Sequence, residues 1–284
     1  MQFQRLGPVG VERPAVRTDE GVFDLSPIAG DINGAFLADD GLAKAAAALA
    51  AGQLPALVDA ENLRVGAPVA RPGAVICIGQ NYAAHAAESG SPPPGRPIVF
   101  FKHPNTVIGP NDDVTIPADA TQVDWEVELG VVIGRTASRL GAGDDPLSYV
   151  AGYLVGNDVS ERVWQAEHSI GQWSKGKCAP TFCPLGPSLV PAADVDPTQL
   201  SIRSFVNGEP RQDSHTSDMI FDVATIVRDL SQYMQLDPGD VVLTGTPEGV
   251  ALSGRFPFIA DGDVVEVEVE GLGRQRQTFV KAAS

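Results

Sequence analysis

The chain has 284 residues, 43% of them apolar, which is enough for one large domain or two unequal ones with a proper core. Its 36 Asp and Glu against 20 Lys and Arg leave a formal net charge of −16 at pH 7, which argues against nucleic acid or an anionic membrane surface as a partner. Cys77, Cys178 and Cys183 are too few and wrongly spaced for a disulfide framework or a structural zinc site. Residues 1–7 lack a signal-peptide pattern and no apolar run reaches the ~18–20 residues of a membrane span, so a cytoplasmic location is expected.

Taken in chain order, residues 1–71 read as a small α/β appendage and residues 72–284 as the main domain. The appendage carries strand signals at 3–6 and 22–25, an Ala-rich helix over 42–51 stopped by Gly52, and a Pro- and Gly-punctuated connection. Strand patterns then follow at 75–79, 97–102, 114–117, 126–133, 150–158, 185–190, 201–206, 241–244 and 264–270. Helical spacing is rarer, over 82–88, 160–168 and 222–234. Strands outnumber helices without alternating regularly with them, so the expected class is α+β and β-rich, not a Rossmann or TIM layout.

Four stretches can carry chemistry. The first runs from Gly79 through Gln80 and Tyr82 to His85 and Glu88. His85 and Glu88 are three apart and share a helix face, so they read either as a supported general base or as an exposed helical pair. The Ser91–Gly95 run that follows, with three prolines, reads as a stiff loop placed to act as a lid. The second stretch is Asp124-Trp125-Glu126-Val127-Glu128-Leu129. Glu126 and Glu128 point the same way, roughly 6–7 Å apart along a strand, and that strand is apolar on both faces, which marks it as buried. Two carboxylates there repel one another unless a cation or a proton joins them, and a hard divalent metal is the simplest solution. The acidic alternation at 263–271 supplies the contrast: its glutamates alternate cleanly with valines, as in an ordinary half-exposed strand.

The third stretch is the apolar strand ending at Asn157-Asp158, where Asp158 reads either as a third metal ligand or as the N-cap of the following helix. The fourth is 172–184, where Lys177 reads as an anion-binding loop lysine or as a solvated one. The Thr244-Gly245-Thr246-Pro247 segment lacks the P-loop lysine and the dinucleotide fingerprint, so a nucleotide site is not expected.

Together these motifs make the chain resemble the fumarylacetoacetate hydrolase family over about residues 72–282. The resemblance rests on 78–82 with His85 and Glu88, on 124–129, on 157–162, on Lys175-Gly176-Lys177 through Pro187, and on 238–250, in family order. It implies a mixed β-sandwich roll, commonly paired as a homodimer or a dimer of dimers. It also implies Glu126, Glu128 and Asp158 as ligands of Mg2+ (with Mn2+ as a substitute), His85 and Glu88 as a water-activating dyad, Lys177 as the loop lysine and Thr246 as a substrate contact. Within the family the chain is most similar to 2,4-diketo-3-deoxy-L-rhamnonate and L-fuconate hydrolases, through 86–90, 108–113 and 271–277. The reaction so implied is hydrolysis of the C3–C4 bond of a small anionic 2,4-dioxo acid to pyruvate and L-lactate. Gln80, Tyr82, Arg162, Gln165 and Thr246 would contact substrate. Asn105 and Ala179-Pro180 depart from the common pattern at positions expected near the pocket. The competing readings are an acylpyruvate or fumarylpyruvate hydrolase, an oxaloacetate decarboxylase, and, outside catalysis, a protein that merely binds a divalent cation.

Overall fold

The doubly apolar run around Val127 lies in the interior of a six-stranded sheet. In the computed structural model, which describes residues 1–88, 90 and 92–283, its strands run in the order Val190–Pro191, Val150–Asn157, Val127–Ile133, Val241–Leu243, Val75–Gly79, Ile98–Lys102. All neighbours are antiparallel except Val241–Leu243 and Val75–Gly79, which are parallel. Val127–Ile133 is buried along its whole length because both faces of the sheet are covered.

On one face, Val127, Leu129, Val131 and Val155 pack against Ile202, Val265, Val267 and Phe279. Those come from a five-stranded sheet ordered Glu209–His215, Ser201–Val206, Val264–Val269, Gly273–Lys281, Val114–Ile116. On the other face, Val132, Leu154, Leu243 and Cys77 meet Phe3, Val16, Leu25, Ile32, Leu37 and Ala45 from the N-terminal segment. Each such fully buried aliphatic side chain is worth about 1.5–3 kcal/mol of burial. The N-terminal segment forms its own four-stranded sheet and the helices Gly34–Ala38 and Gly41–Ala50. It joins the main body through paired backbone bonds between Phe3 and Leu189, each 2.9 Å. The result is a strand-rich α+β fold, as expected. Among the described residues no helix is long and apolar enough to cross a membrane.

The structure departs from the sequence reading in the N-terminal segment, where the strand Arg13–Thr18 and the helix Gly34–Ala38 were not expected, at Ser160–Glu161, which is strand rather than the start of a helix, and at three strands of the main domain. Residues 185–190 are not one strand: short pieces at Cys183–Pro184 and Val190–Pro191 flank an irregular turn. Gly186 has φ +120° and Pro187 has no N–H, so a regular ladder cannot run through them. The strand Glu209–His215 was hidden by its polar composition, which suits the sheet edge it occupies. Gly273–Lys281 was hidden because two of its inward residues are Gln275 and Gln277. Their amides are satisfied inside: Gln275 donates to the Val155 carbonyl at 2.7 Å and Gln277 accepts from Asn157 at 3.1 Å. The acidic contrast strand Val264–Val269 is half-exposed as read, with Glu266 and Glu268 paired to Arg274.

Candidate active site

Glu126 sits in the break between the strands Val123–Asp124 and Val127–Ile133. Its N–H donates to the Asn157 side chain at 3.2 Å, and its carbonyl accepts from Asp158 N–H at 2.9 Å. These bonds set Asp158 beside the Glu-x-Glu pair. Carboxylate oxygens of Glu126, Glu128 and Asp158 lie within 4.8 Å of one another, and all three residues are buried. Asp158 does not cap the following helix. Glu161 caps the short helix Arg162–Ala166, accepting from Trp164 N–H at 2.7 Å.

Cations surround this cluster. Lys177 Nζ donates to Glu126 Oε2 at 2.9 Å, Asp158 Oδ2 at 2.7 Å and Ser160 Oγ at 2.8 Å. Lys102 Nζ reaches Asp158 Oδ1 at 2.6 Å. Arg162 pairs with Asp124 at 2.8 Å and Glu126 at 2.7 Å. Burial pushes the Glu126 carboxyl up, but Lys177 and Arg162 outweigh it and hold Glu126 well below the ordinary carboxylate range. Burial also opposes the charge of Lys177, yet Asp158 and Glu126 prevail and keep it firmly an ammonium. Among the described residues no cation forms an ion pair with Glu128. Burial first, then Asp158 and Glu126, raise it well above the ordinary value, against Lys177 and the Gly245 N–H.

Three buried, converging, hard oxygen donors, one of them (Glu128) without an ion pair among the described residues, fit a divalent ion of the Mg2+ or Mn2+ kind. Because a ligand carboxylate must be ionised, ion uptake should favour the charged form of Glu128 against the burial that opposes it. Below the raised value of Glu128, affinity should climb with pH and about one proton should leave per ion. Calorimetry of Mn2+ binding in two buffers of different ionisation enthalpy measures this directly. Identical heats in both would mean that Glu128 is already ionised.

The cleft beside the cluster is built at the end of Val75–Gly79. A Cβ on Gly79 would stand 2.2 Å from the Trp173 ring, so only glycine admits this wall. Gln80 turns the chain with φ +53°. Asn81 then locks the turn: its side chain donates to Phe221 and Thr244 carbonyls at 3.0 and 2.8 Å and accepts from Phe221 N–H at 2.8 Å. The helix Ala83–Glu88 follows. On it, His85 Nδ1 lies 3.7 Å from Glu88 Oε2. Glu88 is tied down by the Gly249 N–H at 3.1 Å and by Arg255 at 3.5 Å. Burial raises its pKa, but His85, Gly249 and Arg255 together bring it below the ordinary value, so it stays a carboxylate.

The structure brings Gln80, His85, Glu126, Glu128, Arg162, Gln165, Lys177 and Thr246 to one cleft. Tyr82 is not among the lining residues. It is 1% exposed, beneath the turn, with its hydroxyl buried. Arg162 lines the cleft, but its guanidinium is engaged by Asp124, Glu126 and Gln165. Thr246 has likewise spent its hydroxyl proton on the Val127 carbonyl at 2.8 Å and accepts from Gln212 at 2.7 Å. Neither Asn105 nor Ala179 reaches the cleft: Asn105 lines a separate depression beside Arg64, and Ala179 packs in the core. Ser91, in the loop expected as a lid, and Ser89 before it lie outside the described residues. Sequence reasoning missed Lys102, Gln212 and the apolar wall of Phe100, Trp173 and Leu252. For Lys102 a signal existed, since it is in phase with Ile98 and Phe100 on one strand.

The family profile for the fumarylacetoacetate (FAA) hydrolase C-terminal region matches residues 74–280. A Burkholderia lata protein with only a generic, provisional hydrolase name is 46% identical over 282 residues, covering 98% of each chain. Among solved structures, a fumarylacetoacetate hydrolase from Exiguobacterium antarcticum is 35% identical with a TM-score of 0.85, covering 100% of both chains. A maleylpyruvate hydrolase from Sphingobium is 27% identical with a TM-score of 0.81, covering 99% of this chain and 100% of that one. A 5-carboxymethyl-2-hydroxymuconate delta-isomerase from Mycobacterium smegmatis is 35% identical with a TM-score of 0.77, again over 100% of both.

Proposed function

Because this chain belongs to the fumarylacetoacetate hydrolase family, we propose that it hydrolyses a carbon–carbon bond of a small anionic 2,4-dioxo acid with the help of a divalent ion, Mg2+ or Mn2+. The observation that carries this reading is the meeting of His85, Glu126 and Glu128 in one cleft, with the buried Asp158 completing the carboxylate cluster and Glu88 beside His85. When bound, the ion supplies Lewis acidity to the 2-oxo acid end of the substrate and takes up negative charge as the bond breaks.

The chain's own groups do the rest. Glu88, held as a carboxylate, orients His85, which takes a proton from water as the water oxygen bonds to C4. The C3–C4 bond then breaks with its electron pair going to C3, and a proton returns there to complete pyruvate; the other product is a carboxylic acid. Lys177 was expected to donate to the developing oxyanion, but its three N–H groups already serve Glu126, Asp158 and Ser160. Its contribution is therefore charge at close range and the aim of two carboxylates, rather than a free hydrogen bond. Trp173, Phe100 and Leu252 give the cleft an apolar wall that strengthens these charge interactions by excluding water.

The narrower reading is a 2,4-diketo-3-deoxy sugar acid of the L-rhamnonate or L-fuconate type, cleaved to pyruvate and L-lactate. It is supported by the polar side of the cleft, Gln80, Gln165 and Thr246. With its proton committed to Val127, the Thr246 hydroxyl can only accept from a ligand, which suits a substrate hydroxyl. The maleylpyruvate hydrolase neighbour supports the broader acylpyruvate reading. Product analysis with a panel decides between them: the sugar acid, its 5-deoxy analogue, acetylpyruvate and fumarylpyruvate, and oxaloacetate. The narrower reading expects the 5-deoxy analogue to lose at least about tenfold in kcat/KM, because it forfeits a hydrogen bond to the polar side of the cleft. Equal turnover of both, or better turnover of acetylpyruvate, leaves a general acylpyruvase. Release of CO2 from oxaloacetate as the fastest reaction makes it a decarboxylase, and isomerised product without cleavage overturns hydrolysis altogether.

A further inference from the structure

Lys102 ends the strand Ile98–Lys102, an edge of the six-stranded sheet. Strand alternation turns Phe101 to solvent and turns Phe100 and Lys102 inward. Phe100 lies under the Lys177 ammonium, 4.8 Å from ring centre to Nζ. Lys102 goes deeper: its side chain is 0% exposed, and its Nζ bonds Asp158 Oδ1 at 2.6 Å and the Val159 carbonyl at 3.0 Å. The other oxygen of the same carboxylate, Oδ2, is held by Lys177 at 2.7 Å.

The two lysines therefore divide Asp158 between them, and they differ in kind. Lys177 lines the cleft and is shared with Glu126 and Ser160. Lys102 does not line the cleft, and it is anchored independently by a backbone carbonyl. A buried ammonium survives only beside compensating charge, and here the compensation is a carboxylate of the candidate metal cluster. Two consequences follow. Oδ1 is kept from turning into the cluster, so Asp158 has one oxygen to offer there. A positive charge in hydrogen-bond contact with that carboxylate also opposes a divalent ion that needs it.

We propose that Lys102 is a positioning residue of the metal site: it confines Asp158 to a single inward oxygen and weakens divalent-ion binding. The inference rests on Glu126, Glu128 and Asp158 being metal ligands, so its test starts by titrating the wild-type protein with Mn2+. Affinity is read from the free-ion signal in electron paramagnetic resonance, coordination from the bound-ion spectrum, and stability from melting with and without Mn2+.

Lys102→Met is expected to bind Mn2+ at least about tenfold more tightly, since an opposing buried charge is gone. Its bound-ion spectrum should change as the second Asp158 oxygen becomes available. Its melting temperature should fall without Mn2+ and recover with it. Lys102→Arg, which keeps the charge, should stay close to wild-type affinity. Should the Met variant fail to fold, Lys102→Gln gives the same readings while keeping an N–H for the Val159 carbonyl. Unchanged or weaker Mn2+ affinity with a wild-type spectrum would overturn the proposal and leave Lys102 a packing residue. So would failure of both neutral variants to fold even in saturating Mn2+, because the charge would then serve the fold alone. Absence of Mn2+ binding by the wild type would instead sink the metal reading from which the proposal starts.

Discussion

Stripping divalent ions with EDTA is expected to lower turnover by about 10³-fold or more, the equivalent of the several kcal/mol that a Lewis acid contributes. Mg2+ or Mn2+ should restore it. The reason is local: Glu126, Glu128 and Asp158 converge within 4.8 Å in a buried site, and the cations that line the cleft, Lys177 and Arg162, are already paired with carboxylates. Full activity in protein shown by elemental analysis to be metal-free would refute the assignment.

Substitution should separate the ligands. Glu128→Gln removes the group that already resists ionisation, so the metal-free fold should tolerate it while ion affinity drops. Glu126→Gln is a different case. Glu126 is paired with Lys177 and Arg162 at 2.9 and 2.7 Å, and disrupting such buried pairs costs about 3–5 kcal/mol. Loss of stability should therefore accompany loss of the ion in Glu126→Gln alone, and chemical denaturation of the two variants checks this.

His85→Ala is expected to cost about 10²–10⁴-fold in kcat, the range for removal of a general base, while Mn2+ binding persists. The two roles separate because His85 belongs to the helix Ala83–Glu88, whereas the carboxylates sit on or at the ends of sheet strands. Glu88→Gln should fall in the same direction by a smaller factor. It keeps an acceptor for the Gly249 N–H but loses the charge that supports a protonated imidazole. Wild-type turnover in His85→Ala would require another base. Loss of Mn2+ binding in that variant would place His85 in the metal site instead.

The polar wall of the cleft shows how tertiary contacts revise a residue's chemistry without moving it. Arg162 and Thr246 stand where expected, at the cleft. Their hydrogen-bonding capacity is nevertheless largely committed to Asp124, Glu126, Val127 and Gln212. Gln212 comes from the strand Glu209–His215, which is 34 residues from Thr246 in the chain. Gly245 has the same lesson: it reads as part of a Gly-rich loop, yet its N–H braces Glu128 at 2.7 Å from a φ of +99° that glycine adopts freely.

By itself, the sequence was sufficient for the β-rich α+β class, for Glu126 and Glu128 sharing a buried face, and for His85 and Glu88 sharing a helix face. These are local properties, set by periodicities of two and 3.6 residues and by apolar flanks. Even Val75–Gly79 and Ser201–Val206 have the bounds that their patterns implied. Only the tertiary structure decided whether Asp158 caps a helix or joins the carboxylates, since both uses look alike in the chain and the cap was taken by Glu161. It also withdrew Tyr82 from the cleft, moved Asn105 and Ala179 away from it, and set Lys102 behind it on Asp158. The physical reason is common to all of these: a buried charge or hydroxyl takes its state from partners distant in sequence. Asp158 is answered by Lys102 from 56 residues away, and Glu128 by Gly245 from 117.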